Sequence, residues 1–192
     1  ATQKTRTVTV VDRFAPVITL IGGASLTLEC GASFVDPGKT ASDSCDGDLT
    51  SNIVVSGDTV NSNVLGSYTI RYDVEDSAGH SALTKTRTVT VTDTVNPTIT
   101  RLGSATMSVE CGTAFIDPGV TATDSCDGSL TGDIVVSGDT VDTATLGTYV
   151  VRYDVQDSSG NNASQVTRTV NVVDTRNPVI VRSGAAVRTV SL

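Results

Sequence analysis

The stretch Tyr68-Thr69-Ile70-Arg71-Tyr72-Asp73-Val74-Glu75 alternates apolar and polar side chains. That period of two marks a strand with one face buried. The same pattern returns as Tyr149-Val150-Val151-Arg152-Tyr153-Asp154-Val155-Gln156. Ahead of the first copy, apolar-rich runs at Val17 to Ile21, Ser25 to Glu29, Thr40-Ala41 and Ile53 to Ser56 predict shorter strands. After it, Asp76-Ser77-Ala78-Gly79 predicts a turn, and Thr86 to Thr92 returns as a closing strand. Further turns are marked by Asp36-Pro37-Gly38, Asp46-Gly47, Ser56-Gly57-Asp58 and Leu65-Gly66. No segment carries helical periodicity beyond a single turn.

The two copies are separated by a constant 81 residues, which takes Cys30 to Cys111 and Cys45 to Cys126. Such a period indicates a tandem array. Its boundaries fall at Asp12, Asp93 and Asp174. Four segments follow: 1–11 as the closing strand of a preceding partial unit, 12–92 and 93–173 as whole domains, and 174–192 as the opening strands of a partial third unit. Leu192 stands where a third cysteine would fall. About seven short strands per unit predict an all-β fold of tandem immunoglobulin-like β-sandwiches, with a small closed barrel as the alternative. The joint Asp93-Thr94-Val95-Asn96-Pro97 is short, and Pro97 biases Asn96 toward extended backbone, which favours end-to-end stacking.

Composition agrees with strands and turns, being rich in Val, Thr, Ser, Gly and Asp and lacking Trp. With 13 basic and 21 acidic residues the net charge is −8, which argues against a nucleic-acid partner. No apolar run is long enough to insert this segment into a membrane.

The four cysteines fall in matching pairs. Identical units should close identically, which selects Cys30–Cys45 and Cys111–Cys126. Each bridge would contribute about 3 kcal/mol in the chain-entropy picture. Disulfides imply an oxidising compartment, hence a secreted or cell-surface protein.

The ordered motifs now carry a resemblance. Asn-Pro-x-Ile is followed by Cys-Gly-x-x-Phe-x-Asp-Pro-Gly, then Cys-Asp-Gly-x-Leu-Thr, then Gly-x-Tyr-x-[Ile/Val]-Arg-Tyr-Asp-Val-x-Asp-Ser-x-Gly, then Thr-Arg-Thr-Val. The set resembles the bacterial immunoglobulin-like repeat catalogued from insecticidal crystal proteins, and more loosely the hyalin-type repeat. The resemblance implies β-sandwiches in a stalk, adhesin or surface array, and brings no catalytic residues.

Two cation sites come into question, both for calcium. Asp43, Asp46 and Asp48 share one loop, and Asp124 and Asp127 keep part of it in the second copy, where Ser129 replaces Asp48. Oxygen-rich loops hold calcium in extracellular modules. The plainer reading is that these aspartates cap turn amides. The joint, with Asp93, Asn96 and Asp76, is the second place, and it too reads more plainly as a hydrogen-bonded turn.

Arg87 shares strand parity with Val89 and Val91, so its stem is expected to cover the core edge with the guanidinium on a carboxylate, Glu29 and Glu110 being available. Six of the seven aromatics form repeat pairs, Phe34/Phe115, Tyr68/Tyr149 and Tyr72/Tyr153, which read as core or corner residues rather than a glycan platform. His80 is the only histidine, and no nucleophile motif or phosphate loop occurs, so catalysis is not expected.

The reading that emerges is a structural spacer or stalk, a rod of disulfide-stapled repeats, open to self-association into a filament through its terminal strands. An adhesin-type binding module using the Ser56 to Leu65 loop, or an accessory region of a larger secreted enzyme, are the alternatives.

Overall fold

The computed structural model describes residues 2–181, 183 and 184. Clustering of contacts gives two compact units. One holds the residues up to Val95 with Ser125–Gly128, and the other holds Asn96–Asp124 with the residues from Ser129 onward.

The first repeat contains β1 (Val17–Leu20), β2 (Ser25–Glu29), β3 (Lys39–Asp43), β4 (Gly47–Asp48), a 3-10 turn over Thr50–Asn52, β5 (Val54–Gly57), β6 (Gly66–Asp73) and β7 (Lys85–Thr92). They make two open sheets, ordered β1-β3-β4 and β2-β7-β6-β5. Two faced sheets make a sandwich, so the barrel alternative is set aside. All ladders are antiparallel except β2 with β7, where Leu26 lies beside Val89 and Leu28 beside Val91.

The second repeat returns the same plan. Its strands are β8 (Thr98–Arg101), β9 (Thr106–Glu110), β10 (Val120–Asp124), β11 (Gly128–Ser129), β12 (Val135–Gly138), β13 (Gly147–Asp154) and β14 (Val166–Val173). The sheets are β11-β10-β8 and β12-β13-β14-β9, with β9 parallel to β14.

The alternation read in the sequence places the core. Ile70, Tyr72 and Val74 turn inward to meet Val89, Ile18, Ala41 and Leu49 in one cluster. Val151, Tyr153 and Val155 meet Ile99, Val120, Ala122 and Leu130 in the other. Each fully buried aliphatic side chain contributes about 1.5–3 kcal/mol by leaving water. Phe34 packs against the first core while staying half-buried. Tyr68 and Tyr149 lie at corners, where each hydroxyl donates to a carbonyl four residues back, Val64 O and Thr145 O, at 3.0 Å.

β5 and β12 end on glycine for a steric reason. Gly57 and Gly138 have φ of +89° and +87°, and a Cβ there would collide with the carbonyls of Thr69 and Val150 across the ladder. Those carbonyls accept from Asp58 N and Asp139 N at 2.9 Å, so they are fixed in place.

The segment expected to be a closing strand at 1–11 forms no strand over its described residues, and Val8 and Val10 are exposed. A strand needs a ladder partner, and among the described residues none pairs with this segment. Of the expected opening strands at 174–192, residues 182 and 185–192 lie outside the described residues, and 174–181 form no strand.

Candidate functional site

The most heavily connected polar group in each repeat is an arginine inside the sandwich. β7 alternates so strictly that Arg87, Val89 and Val91 all face inward, and Arg87 is fully buried. Its guanidinium pairs with Asp36. It also donates to Ile21 O at 2.6 Å, Gly23 O at 3.1 Å and Gly38 O at 3.2 Å. Tyr72 hydroxyl donates to the other oxygen of Asp36. Arg168 repeats the arrangement, pairing through Nε with Asp117 at 3.0 Å. It donates to Leu102 O, Ser104 O and Gly119 O at 2.7, 2.9 and 3.0 Å, and Tyr153 donates to Asp117. A buried cation is tolerated only when paired and hydrogen-bonded, and each of these is both. Burial lowers the Arg87 pKa from its ordinary value and raises those of Tyr72 and Tyr153.

This corrects the expected partners. Glu29 and Glu110 do not reach the buried arginines. Glu29 accepts from Thr94 N and Thr94 Oγ1, both at 2.8 Å, and Glu110 accepts from Thr175 N and Oγ1 at 3.0 and 2.7 Å. Those donors hold both carboxyls below their ordinary range. The arginine takes Asp36 or Asp117 instead, from the Asp-Pro-Gly turn, whose carboxylate lies within reach of the buried guanidinium. The same carboxylates accept from Gly38 N and Gly119 N at 2.9 and 2.8 Å, so one residue shapes the turn and neutralises the core charge.

The loop expected to bind calcium comes apart into separate jobs. Asp46 accepts from Ser77 N and Oγ at 2.7 and 2.9 Å, tying its loop to the turn after β6. Asp48 accepts from Thr50 N at 2.9 Å, and the Thr50 hydroxyl and then this amide hold its carboxyl below the ordinary range. Asp43 accepts from Cys45 N and Asp46 N at 2.6 and 3.2 Å. Each of the three carboxylates accepts from at least one backbone amide. Asp124 ends β10 and Asp127 lies in the turn before β11, the matching places in the second repeat.

Asp43 instead belongs to a different group. Its carboxylate, that of Asp12 and the Cys45 sulfur place ligand atoms within 4.8 Å of one another, and Asp12, Asp76 and His80 do the same. Asp12 is common to both. One of its oxygens accepts from Phe14 N at 3.1 Å, while Oδ2 is buried with no hydrogen-bond partner. Asp76 is buried and accepts from Ala78 N, His80 N and His80 Nδ1 at 2.9, 2.8 and 3.0 Å. Desolvation opposes its ionisation, but the donors of His80 and Ala78 outweigh that and hold its carboxyl below the ordinary range. Desolvation, and then the Asp12 charge, push the Cys45 thiol up. Chemically, carboxylates around an unsatisfied buried oxygen suit a hard divalent cation, and the sulfur and imidazole would also accept a softer one. In the sequence Asp12 marks only a repeat boundary. Its recurrence at Asp93 and Asp174 was the available signal.

The cysteines also depart from expectation. Cys30 is bonded to Cys126, with Cα atoms 5.5 Å apart, and Cys45 and Cys111 are free thiols. The expected Cys30–Cys45 and Cys111–Cys126 pairs do not form. Equal units need not close upon themselves. Here the bond joins the first cysteine of the first repeat to the second cysteine of the second repeat, and Ser125–Gly128 clusters with the unit that holds Cys30.

The chain is similar to several known proteins. Pesticidal crystal protein Cry22Aa of Bacillus thuringiensis is 37% identical over 131 residues, covering 65% of this chain and 17% of that protein. Hyalin of Strongylocentrotus purpuratus is 32% identical over an alignment of 203 positions, covering 98% of this chain and 16% of hyalin. The chain thus spans about one-sixth of the length of these relatives. Among solved structures, the lipoprotein BT2262 of Bacteroides thetaiotaomicron is 29% identical, covering 43% of this chain and 40% of that one with a TM-score of 0.38. No helix among the described residues is long and apolar enough to cross a membrane. The profile of the "Bacterial surface protein, Ig-like domain" matches residues 18–91 and again 99–172, each match running from the first core strand to the end of the closing strand. The chain therefore belongs to the bacterial surface Ig-like family and carries two tandem copies of its domain.

Proposed function

We propose that these two repeats serve as a structural spacer in a secreted or cell-surface protein, and that no catalytic step is carried out by them. The observation that carries this reading is how the recurrent polar residues are used. At the 81-residue period, Arg87/Arg168, Asp36/Asp117 and Tyr72/Tyr153 recur, each engaged in holding its own repeat together, and Glu29/Glu110 recur holding Thr94 and Thr175 just past the closing strands. A binding surface built for a ligand would instead repeat exposed groups. The test is binding of the intact chain to arrays of glycans and surface proteins. A spacer shows no saturable binding. Saturable binding that disappears when the 58–65 loop is replaced would establish the adhesin-type module in its place.

Calcium enters this reading as an accessory stiffener at Asp12, supported by the buried, unpartnered Oδ2 beside Asp43 and Asp76. Carboxylates at such distances repel, and a divalent cation would offset that. Addition of calcium at about millimolar concentration, the range of extracellular modules, is expected to raise the melting temperature, and Asp12→Asn to remove the rise. An unchanged melting temperature sinks the calcium role and leaves the spacer reading standing.

A further inference from the structure

Tension on the first repeat falls on two neighbouring strands. The chain enters the sandwich through β1 and β2 and leaves through β7, and β2 lies parallel to β7 with Ser25 beside Thr88 and Glu29 beside Thr92. A pull on entry and exit therefore draws β2 from its Ser25 end and β7 from its Thr92 end, in opposite directions along one ladder. The strands must slide past each other, so every rung resists at once instead of opening in turn. Thr88 N on Ala24 O and Cys30 N on Thr92 O, both at 2.8 Å, close the ladder at its two ends. The second repeat has the same build. β9 is parallel to β14, with Thr106 beside Thr169 and Glu110 beside Val173. Thr169 N on Ala105 O at 2.9 Å and Cys111 N on Val173 O at 2.7 Å bound it.

The bond between Cys30 and Cys126 reroutes that load. Cys30 directly follows Glu29, the last residue of β2, and Cys126 lies 96 positions further on, between β10 and β11. Tension that reaches Cys30 crosses the two sulfurs and continues from Cys126. Residues 31–125 then lie outside the covalent load path and cannot be drawn out while the bond holds. That stretch contains β3 to β7, the joint from Asp93 to Pro97, and β8 to β10. Asp36, Tyr72 and Arg87 all fall within it. We propose that the two repeats are a load-bearing tether, and that the Cys30–Cys126 bond is the lock that sets how far it extends. Oxidised, the tether gives only β1, β2 and the strands after Cys126. Reduced, it carries load through the parallel pairs and releases both sandwiches whole. This deepens the spacer reading and rests on it.

The unlocking step is a thiol–disulfide exchange. Cys30 is 4% exposed and Cys126 is half-buried, so an incoming thiolate reaches the Cys126 sulfur and Cys30 departs as the thiolate. With dithiothreitol, the two reagent thiols give up two protons and two electrons and close to a cyclic disulfide. Cys30 and Cys126 take these up as two thiols, so atoms and electrons balance.

The test stretches the whole chain between handles at its two ends in a single-molecule force instrument, after Cys45 and Cys111 are capped with iodoacetamide. With the bond intact, release from the first repeat is expected to stop at Cys30 after about 45 Å, and from the second after about 160 Å, at 3.3–3.6 Å per residue. After dithiothreitol the chain should yield in two equal steps of about 260 Å, one per sandwich, and extend roughly 300–350 Å further in all. Cys30→Ser and Cys126→Ser should each give the two equal steps without reductant, and circular dichroism verifies that each variant folds. A bonded chain that releases either long step before reduction would overturn the proposal. So would a reduced chain that yields in one step or without a resolved force peak. Saturable ligand binding would leave these lengths unchanged, so failure of the spacer reading is seen in a different measurement.

Discussion

The two repeats share their interiors and differ at their cysteine-bearing loops. Inside, Arg87 with Asp36 and Tyr72 is matched group for group by Arg168 with Asp117 and Tyr153. Around the cysteine-bearing loops, Asp48 becomes Ser129 and His80 becomes Asn161. Bonding also diverges, since Cys30 and Cys126 are joined while Cys111 and Cys45 are not. The Arg–Asp–Tyr network that holds each sandwich together is the same in both copies, while core aliphatics vary in size, as where Ile70 becomes Val151. Positions facing outward acquire separate roles.

The sharpest way to break the comparison is through the shared interior. Asp36→Ala leaves Arg87 buried without its carboxylate, and loss of one partner of such a pair costs about 3 kcal/mol or more. Asp117→Ala should cost its own repeat a similar amount, measured by denaturant unfolding. Unequal losses would mean that the two networks are not equivalent despite their geometry. Replacing both partners, Arg87→Met with Asp36→Leu, should cost less than Asp36→Ala alone, because no charge is left unpaired.

Next in size are the turn glycines. Gly57→Ala and Gly138→Ala each force a side chain into a left-handed backbone and against a fixed carbonyl, at a cost of about 1–3 kcal/mol. Equal losses would again mark the shared scaffold.

Acid gives a smaller, distributed effect. Asp76 and Asp157 are held below their ordinary range, the latter because Asn161 and Ser159 donate to it and outweigh its desolvation. Glu29 and Glu110 are lowered as well, by the Thr94 and Thr175 donors. A carboxyl with a lowered folded pKa contributes stability above its unfolded value, about 3.9 for Asp and 4.3 for Glu. That contribution is lost as pH falls through the folded value. Melting temperature is therefore expected to hold from pH 7 to about 5 and to fall below about 4. Asp76→Asn should flatten that fall for the first repeat, and Asp157→Asn for the second.

Much of this architecture was legible from the chain. The alternation in Tyr68 to Glu75 fixed β6, the inward face of Tyr72 and, across the ladder, the inward face of Arg87. Period and turn chemistry delimited both sandwiches. Two things were not legible, for one physical reason. The partner of Arg87 sits 51 residues away in a turn, and the partner of Cys30 sits 96 residues away in the other copy. Strand periodicity reports which face a side chain takes, not what lies opposite. Symmetry between copies then misled, because it ranked a local closure above a longer one. Asp36-Pro37-Gly38 could be read as a turn, but nothing in its spacing showed that its carboxylate also serves the core.

The cysteine pairing is the most direct test of this account, because shared interiors and divergent loops predict opposite connectivities. The measurement is a non-reduced digest of the folded chain, with thiols blocked beforehand and the linked peptides identified by mass. The account predicts one Cys30–Cys126 peptide pair, with Cys45 and Cys111 both carrying the blocking group. Recovery of Cys30–Cys45 together with Cys111–Cys126 would contradict it.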